Sequence, residues 1–116
     1  MRPKKNRSRA DKAHNDKKGA ALLTVIAVIE AKSGYESRVK KALLALIPPT
    51  REEKGCVDYE LHVQKGSKRS FLFYENWTTK SHLDKHLAMP HLKTFDRVTR
   101  GFLAKPVAIT LWRRMA

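Results

Sequence analysis

From Leu22 to Ala31 the chain is almost unbroken Val, Ile, Leu and Ala, with no polar face. Such a run suits a strand covered on both sides. Lys32 to Gly34 turns the chain. The next stretch, YESRVKKALLALIPP, sets Val39, Ala42, Leu43, Leu46 and Ile47 at helical spacing, with Arg38, Lys40 and Lys41 turned outward. Pro48 and Pro49 remove two backbone donors, so the helix is expected to end or kink there, with a one-turn extension beyond and Gly55 as terminator. Residues 56–64, CVDYELHVQ, alternate, with Val57, Tyr59, Leu61 and Val63 on one face and Asp58, Glu60 and His62 on the other. Gly66 in a polar run predicts a hairpin loop into a strand over 71–77. Thr78 and Thr79 can then cap a short helix in which Leu83 and Leu87, and likewise His82 and His86, are four apart. Pro90 stops that helix and opens another bearing Leu92, Phe95, Val98 and Phe102, and residues 106–112 close the chain as an apolar strand.

Strand, helix, strand, strand, helix, strand is the signature of the α+β ferredoxin-like βαββαβ unit, an antiparallel sheet with both helices on one face. The doubly apolar first strand requires a cover for the other face as well. A second copy of the same sheet is the economical one, so the expected assembly is a homodimer packed sheet to sheet.

The length of 116 residues bounds this to one domain. Residues 1–19 have no large apolar residue after Met1 and hold eight Lys or Arg against two Asp, out of a net charge of +14. They are expected to form a disordered basic tail ahead of a domain over 20–116, with non-specific binding to nucleic acid or an anionic surface open to the tail. The basic stretch before ALLTVIAVIEA has the layout of a signal peptide, but Glu30 ends the apolar run early and no clean small-residue cleavage site follows. No membrane span is expected, since the run falls short of the roughly 20 apolar residues that a bilayer needs. Cys56 is the single cysteine, so no internal disulfide forms, and a cytoplasmic location fits best. RNA-recognition domains share this element order, but they need aromatics on the first and third strands and a glycine in the third, whereas here Leu22 to Ala31 has no aromatic and Ser70 to Trp77 no glycine.

Candidate chemistry crowds the join RSFLFYENWTTKSHLDKHLAMPH, 69–91. Strand parity puts Phe71, Phe73, Glu75 and Trp77 on one face and Leu72, Tyr74 and Asn76 on the other. Trp77, at the strand end, can wall a pocket. His86 and His91 are better placed than His82 to act as base or hydrogen-bonding group, for which one imidazole titrating near neutrality suffices. No metal is expected: imidazoles at i and i+4 do not complete a coordination sphere, no Glu follows the first His, and no Cys is near. With no Gly-rich phosphate loop, no flavin or nicotinamide fingerprint and no nucleophile elbow, the chemistry left is that which begins by proton transfer.

The segments LTVIAVIEAKSG, GCVDYEL, FLFYENW and HLAMPHLKTF, with Gly55, Tyr59, Tyr74, Glu75, Trp77, His86, Pro90 and His91 in this order, resemble the antibiotic biosynthesis monooxygenase family, including its quinol monooxygenases, from Leu22 to about Leu111. The resemblance implies a dimeric α+β barrel and oxygenation of a small electron-rich aromatic, a quinol or anthrone, by molecular oxygen with no flavin, haem or metal. It casts His91 or His86 as base, Asn76 and Tyr74 as hydrogen-bonding groups, and Trp77 with Tyr59 as pocket walls. Trp77 and Asn76 share one site only if the strand end is bulged. Haem-degrading relatives use an Asn on the first strand that is absent here. An isomerase acting on an anionic substrate, with Lys32, Arg51 and Lys93 at hand, and a ligand-binding dimer without activity are the alternatives.

Overall fold

The computed structural model describes residues 21–116. Strand β1 (Leu23–Glu30) leads through a turn to helix α1 (Glu36–Ala45) and the short helix α2 (Ile47–Arg51). The hairpin of β2 (Cys56–Val63) and β3 (Ser70–Trp77) follows, then α3 (Lys80–Leu87), α4 (Pro90–Val98) and β4 (Ala108–Arg113). All pairings are antiparallel, in the order β2-β3-β1-β4, so the ferredoxin-like α+β reading holds. The basic tail expected over 1–19 lies outside the described residues.

The prolines behave as their chemistry demands. Pro48 and Pro49 open α2, where their missing N–H groups cost nothing, and Leu46 serves both as the last cap of α1 and the first of α2. Pro90 likewise starts α4. Val25, Ala27 and Ile29 of β1 meet Phe71 and Phe73 of β3 under Val39, Leu43 and Leu46 of the α1 region, and this is the core. The alternate residues of β1, Thr24, Ile26 and Val28, face the other side of the sheet and are half-buried.

Three features depart from the periodicity. A bulge between Cys56 and Asp58 turns Cys56 inward opposite Trp77, so both Cys56 and Val57 are buried and the clean alternation of β2 starts only at Asp58. The bulge lies in β2, so β3 keeps strict alternation through Trp77. On α3, Leu83 is buried but Leu87 is exposed, and Val98 of α4 is exposed too. Strand β4 pairs only with β1 and is exposed along its whole length, so VAITLW is an edge and not a core strand.

One glycine packs against the start of α3. Gly55 has φ +86°, and a Cβ there would also overlap the ring of His82. His82 belongs to the start of α3: its Nδ1 stands 2.9 Å from the hydroxyls of both Thr78 and Thr79, and its N–H donates to Thr79 Oγ1 at 3.1 Å. Gly55→Ala is expected to destabilise the fold by roughly 2–4 kcal/mol, through left-handed strain plus loss of this cap. Urea unfolding measures it, and a change under about 0.5 kcal/mol, the usual size for a surface substitution, would contradict the packing described.

Candidate active site

The inward parity of β3 delivers Glu75 and Trp77 to the helix side, where Glu75 is a carboxylate among apolar residues and only 4% exposed. Its Oε1 accepts the indole N–H of Trp77 at 2.8 Å. Burial raises the Glu75 carboxyl to about 7, the indole bond pulling it down and the charge of Glu53 adding to the rise. Tyr59, inward on β2, stacks on Phe73 at 4.3 Å and meets His86 edge-on at 5.5 Å. Burial first, and the charge of Glu75 second, push the Tyr59 phenol far above the usual tyrosine range, so it stays protonated and can donate.

His86 projects from α3 into this aromatic wall, 2% exposed and 4.7 Å from the Trp77 ring. Burial lowers its pKa, against the pull of Glu53 and with the help of His91, and so favours neutral imidazole. Its Nδ1 lies 2.8 Å from Glu53 Oε2, and His91 Nε2 reaches the same oxygen at 2.7 Å. An ionised carboxylate only accepts, so both nitrogens carry the proton and His86 Nε2 is left as an acceptor.

Between sheet and helices lies a cavity of about 150 Å³ whose wall includes Tyr59, Glu75 and His86 among apolar residues such as Leu43, Phe73 and Phe95. Its mouth carries the exposed Leu87, Asp96 and Ile109. A carboxyl raised to about 7 and an imidazole that burial keeps neutral thus share a small apolar chamber with a protonated phenol, an arrangement suited to taking a proton from a bound ring and returning it.

The residues expected to act divide into two sets. Tyr59 and His86 line the cavity, and Trp77 packs against the His86 ring without lining it. His91 stands behind His86, joined to it through Glu53, and does not line the cavity. Asn76 and Tyr74 lie on the opposite face of the sheet, because β3 has no bulge to bring them round. There Asn76 accepts from Thr24 Oγ1 at 2.6 Å and donates to Asp58 Oδ2 at 3.0 Å and to the Tyr74 hydroxyl at 2.9 Å. This set borders a separate open depression of about 460 Å³ with Trp112 and Arg113. Glu53 and Glu75 have no role in the sequence-based expectations. Glu75 was detectable as the one charge on an otherwise apolar strand face, whereas Glu53, in a polar turn, gave no signal. Of the three histidines that allow a metal reading, His82, His86 and His91, the last two meet at Glu53, while His82 turns to the threonines.

The model of the antibiotic biosynthesis monooxygenase family matches residues 22–98. The chain belongs to that family. Among curated relatives, the probable quinol monooxygenase YgiN of Escherichia coli is 30% identical over 90 residues, 69% of this chain and 86% of that protein. The uncharacterized protein sll1783 of Synechocystis is 34% identical over 67 residues, but the chain spans only 46% of its length. The crystal structure of PA3566 from Pseudomonas aeruginosa superposes with a TM-score of 0.79 at 32% identity, covering 84% of this chain and 97% of that one. Rv0793 of Mycobacterium tuberculosis gives 0.76 at 27% identity, over 82% and 96%. Of the motif residues in this monooxygenase-family chain, Tyr59, Glu75 and His86 line one cavity, Trp77 and His91 pack around His86, and Tyr74 lies on the opposite face, with Glu53 added by the fold. No helix among the described residues is long and apolar enough to cross a membrane.

Proposed function

We propose that this chain oxygenates a single-ring hydroquinone with molecular oxygen, using side chains alone. The observation that carries the reading is the buried carboxylate of Glu75, raised to about 7, facing the same 150 Å³ chamber as neutral His86. An apolar cavity of about that volume takes one benzene ring, which favours a quinol over a three-ring anthrone. Glu75 accepts a phenolic proton, and His86 Nε2 accepts a hydrogen bond from the second hydroxyl. The electron-rich ring anion then reacts with oxygen at a ring C–H carbon, forming a C–O bond, and the proton on Glu75 passes to the peroxide. Cleavage of the O–O bond with loss of that carbon's hydrogen leaves a hydroxyquinone and one water. The substrate supplies all four electrons, so hydroquinone plus oxygen balances to hydroxyquinone plus water. Tyr59, a wall residue whose phenol stays protonated, is the donor that would stabilise the developing oxyanion.

A homodimer packed sheet to sheet fits the outer face, where Ile26, Val28 and Leu72 sit beside Tyr74 and Trp112, the last 56% exposed. Oxygen uptake by the purified protein with a panel of quinols, chelator present and autoxidation subtracted, is expected to saturate with substrate. Uptake no greater than autoxidation would overturn the oxygenase reading and favour a ligand-binding or isomerising dimer. Light scattering on the same sample is expected to give twice the mass of one chain; a monomer would overturn the sheet-to-sheet assembly.

A further inference from the structure

Behind the cavity, Glu53, His86 and His91 bring three ligand atoms within 4.8 Å of one another. They come from three separate places: the turn after α2, the last turn of α3 and the first turn of α4. We infer that Glu53, His86 and His91 form a binding site for a divalent transition metal, one whose occupancy switches the adjoining cavity off.

Two imidazoles and one carboxylate suit zinc, cobalt, nickel or ferrous iron over calcium or magnesium, which prefer oxygen. Neighbouring ligands on a tetrahedral metal with bonds of about 2.1 Å stand about 3.4 Å apart. The two Glu–His separations, 2.8 and 2.7 Å, need to open by roughly 0.6–0.7 Å, and the two imidazole nitrogens, which set the 4.8 Å span, need to draw together. The His91 side chain is 20% exposed while Glu53 and His86 are nearly sealed, so a metal enters past His91 and keeps outer positions for water. The site is held ready because each imidazole already points its ligand nitrogen at the same oxygen.

The consequence for the cavity comes from the tautomer. With Glu53 as partner, His86 carries its proton on Nδ1 and accepts at Nε2. A metal on Nδ1 moves the proton of the neutral ring to Nε2, which then donates and can no longer accept from a bound hydroxyl. The metal is thus an inhibitor here and not a cofactor. This inhibition rests on the proposed oxygenase reading; the binding does not.

The test titrates the chelator-stripped full-length protein with cobalt(II). Visible ligand-field absorption saturating near one cobalt per chain is expected, together with a rise in melting temperature of about 5 °C or more at saturating zinc. His62→Ala keeps both signals. Glu53→Gln and His91→Ala lose both, with far-UV circular dichroism in chelator verifying that each is folded. His91 is partly exposed, so its variant keeps the test open if Glu53→Gln does not fold. Absence of the cobalt band, or a band that persists in both variants, overturns the site. Where quinol-dependent uptake is present, zinc is expected to lower it at least tenfold, and a rise on zinc addition overturns the switch. If no quinol supports uptake, the oxygenase reading fails while the cobalt and melting results still decide the site.

Discussion

Glu75→Gln is expected to lower quinol turnover at pH 8 by about 10²–10⁴-fold, the usual contribution of a positioned general base. It is also expected to make the protein more stable at the same pH. Both effects have one cause, the burial that lifts the carboxyl from 4.5 to about 7. Below about pH 4.5 the folded and unfolded chains both hold this proton, and the group costs nothing. Between about 4.5 and 7 the unfolded chain releases the proton and the folded chain keeps it, so stability erodes as pH rises and the loss is complete above about 7. A shift of that size corresponds to on the order of 3 kcal/mol, and a neutral amide that still accepts the Trp77 N–H recovers up to that amount. Turnover in the natural chain should rise with pH through about 7 as Glu75 ionises, and the glutamine variant should lose that limb. Paired pH–rate and pH–denaturation profiles check both parts. A variant with unchanged turnover would remove Glu75 from the chemistry, whereas a variant less stable at pH 8 would contradict the cost of burying its charge.

Such a pairing of lost activity with gained stability marks a group kept for function, since structure alone would favour an apolar residue at the position. The same logic explains what could be seen in the sequence. The six main elements were legible because each has an unambiguous period and its boundaries are set by Pro48, Pro90, Gly55 and Gly66, whose backbone chemistry leaves little choice. The separation of Trp77 from Asn76 also follows from the two-residue period of β3, and the bulge that could have reunited them formed on β2, where Cys56 and Val57 are both buried. The exposure of β4 could not be read from VAITLW, because an apolar strand at an edge and one in a core have the same period. Glu53 was the deepest omission. Its role depends on a turn approaching two helix ends 33 and 38 residues further along the chain, a long-range contact that local pattern does not encode.

The geometry also separates the two histidines that sequence treats as equal candidates. His86→Ala is expected to cost at least 100-fold in turnover and roughly 3 kcal/mol in stability, since it empties a position between Trp77 and Tyr59 and strips the Glu53 carboxylate of its buried partner. His91→Ala should cost tenfold or less in turnover, because His91 reaches the cavity only by helping Glu53 hold the His86 ring. The pH dependence of stability distinguishes them further. Burial depresses the folded pKa of His86 below 6.5, so its neutral form contributes stability that is present above about 6.5 and lost as pH falls through the folded value. His86→Ala should flatten that acid limb. Denaturation at a series of pH values, beside kcat for each variant, decides the assignment. If His91→Ala proved the more damaging to turnover, the reacting ring would have to sit on the Glu53 side of the imidazole pair, and the chamber bounded by Glu75 would not be where oxygen meets substrate.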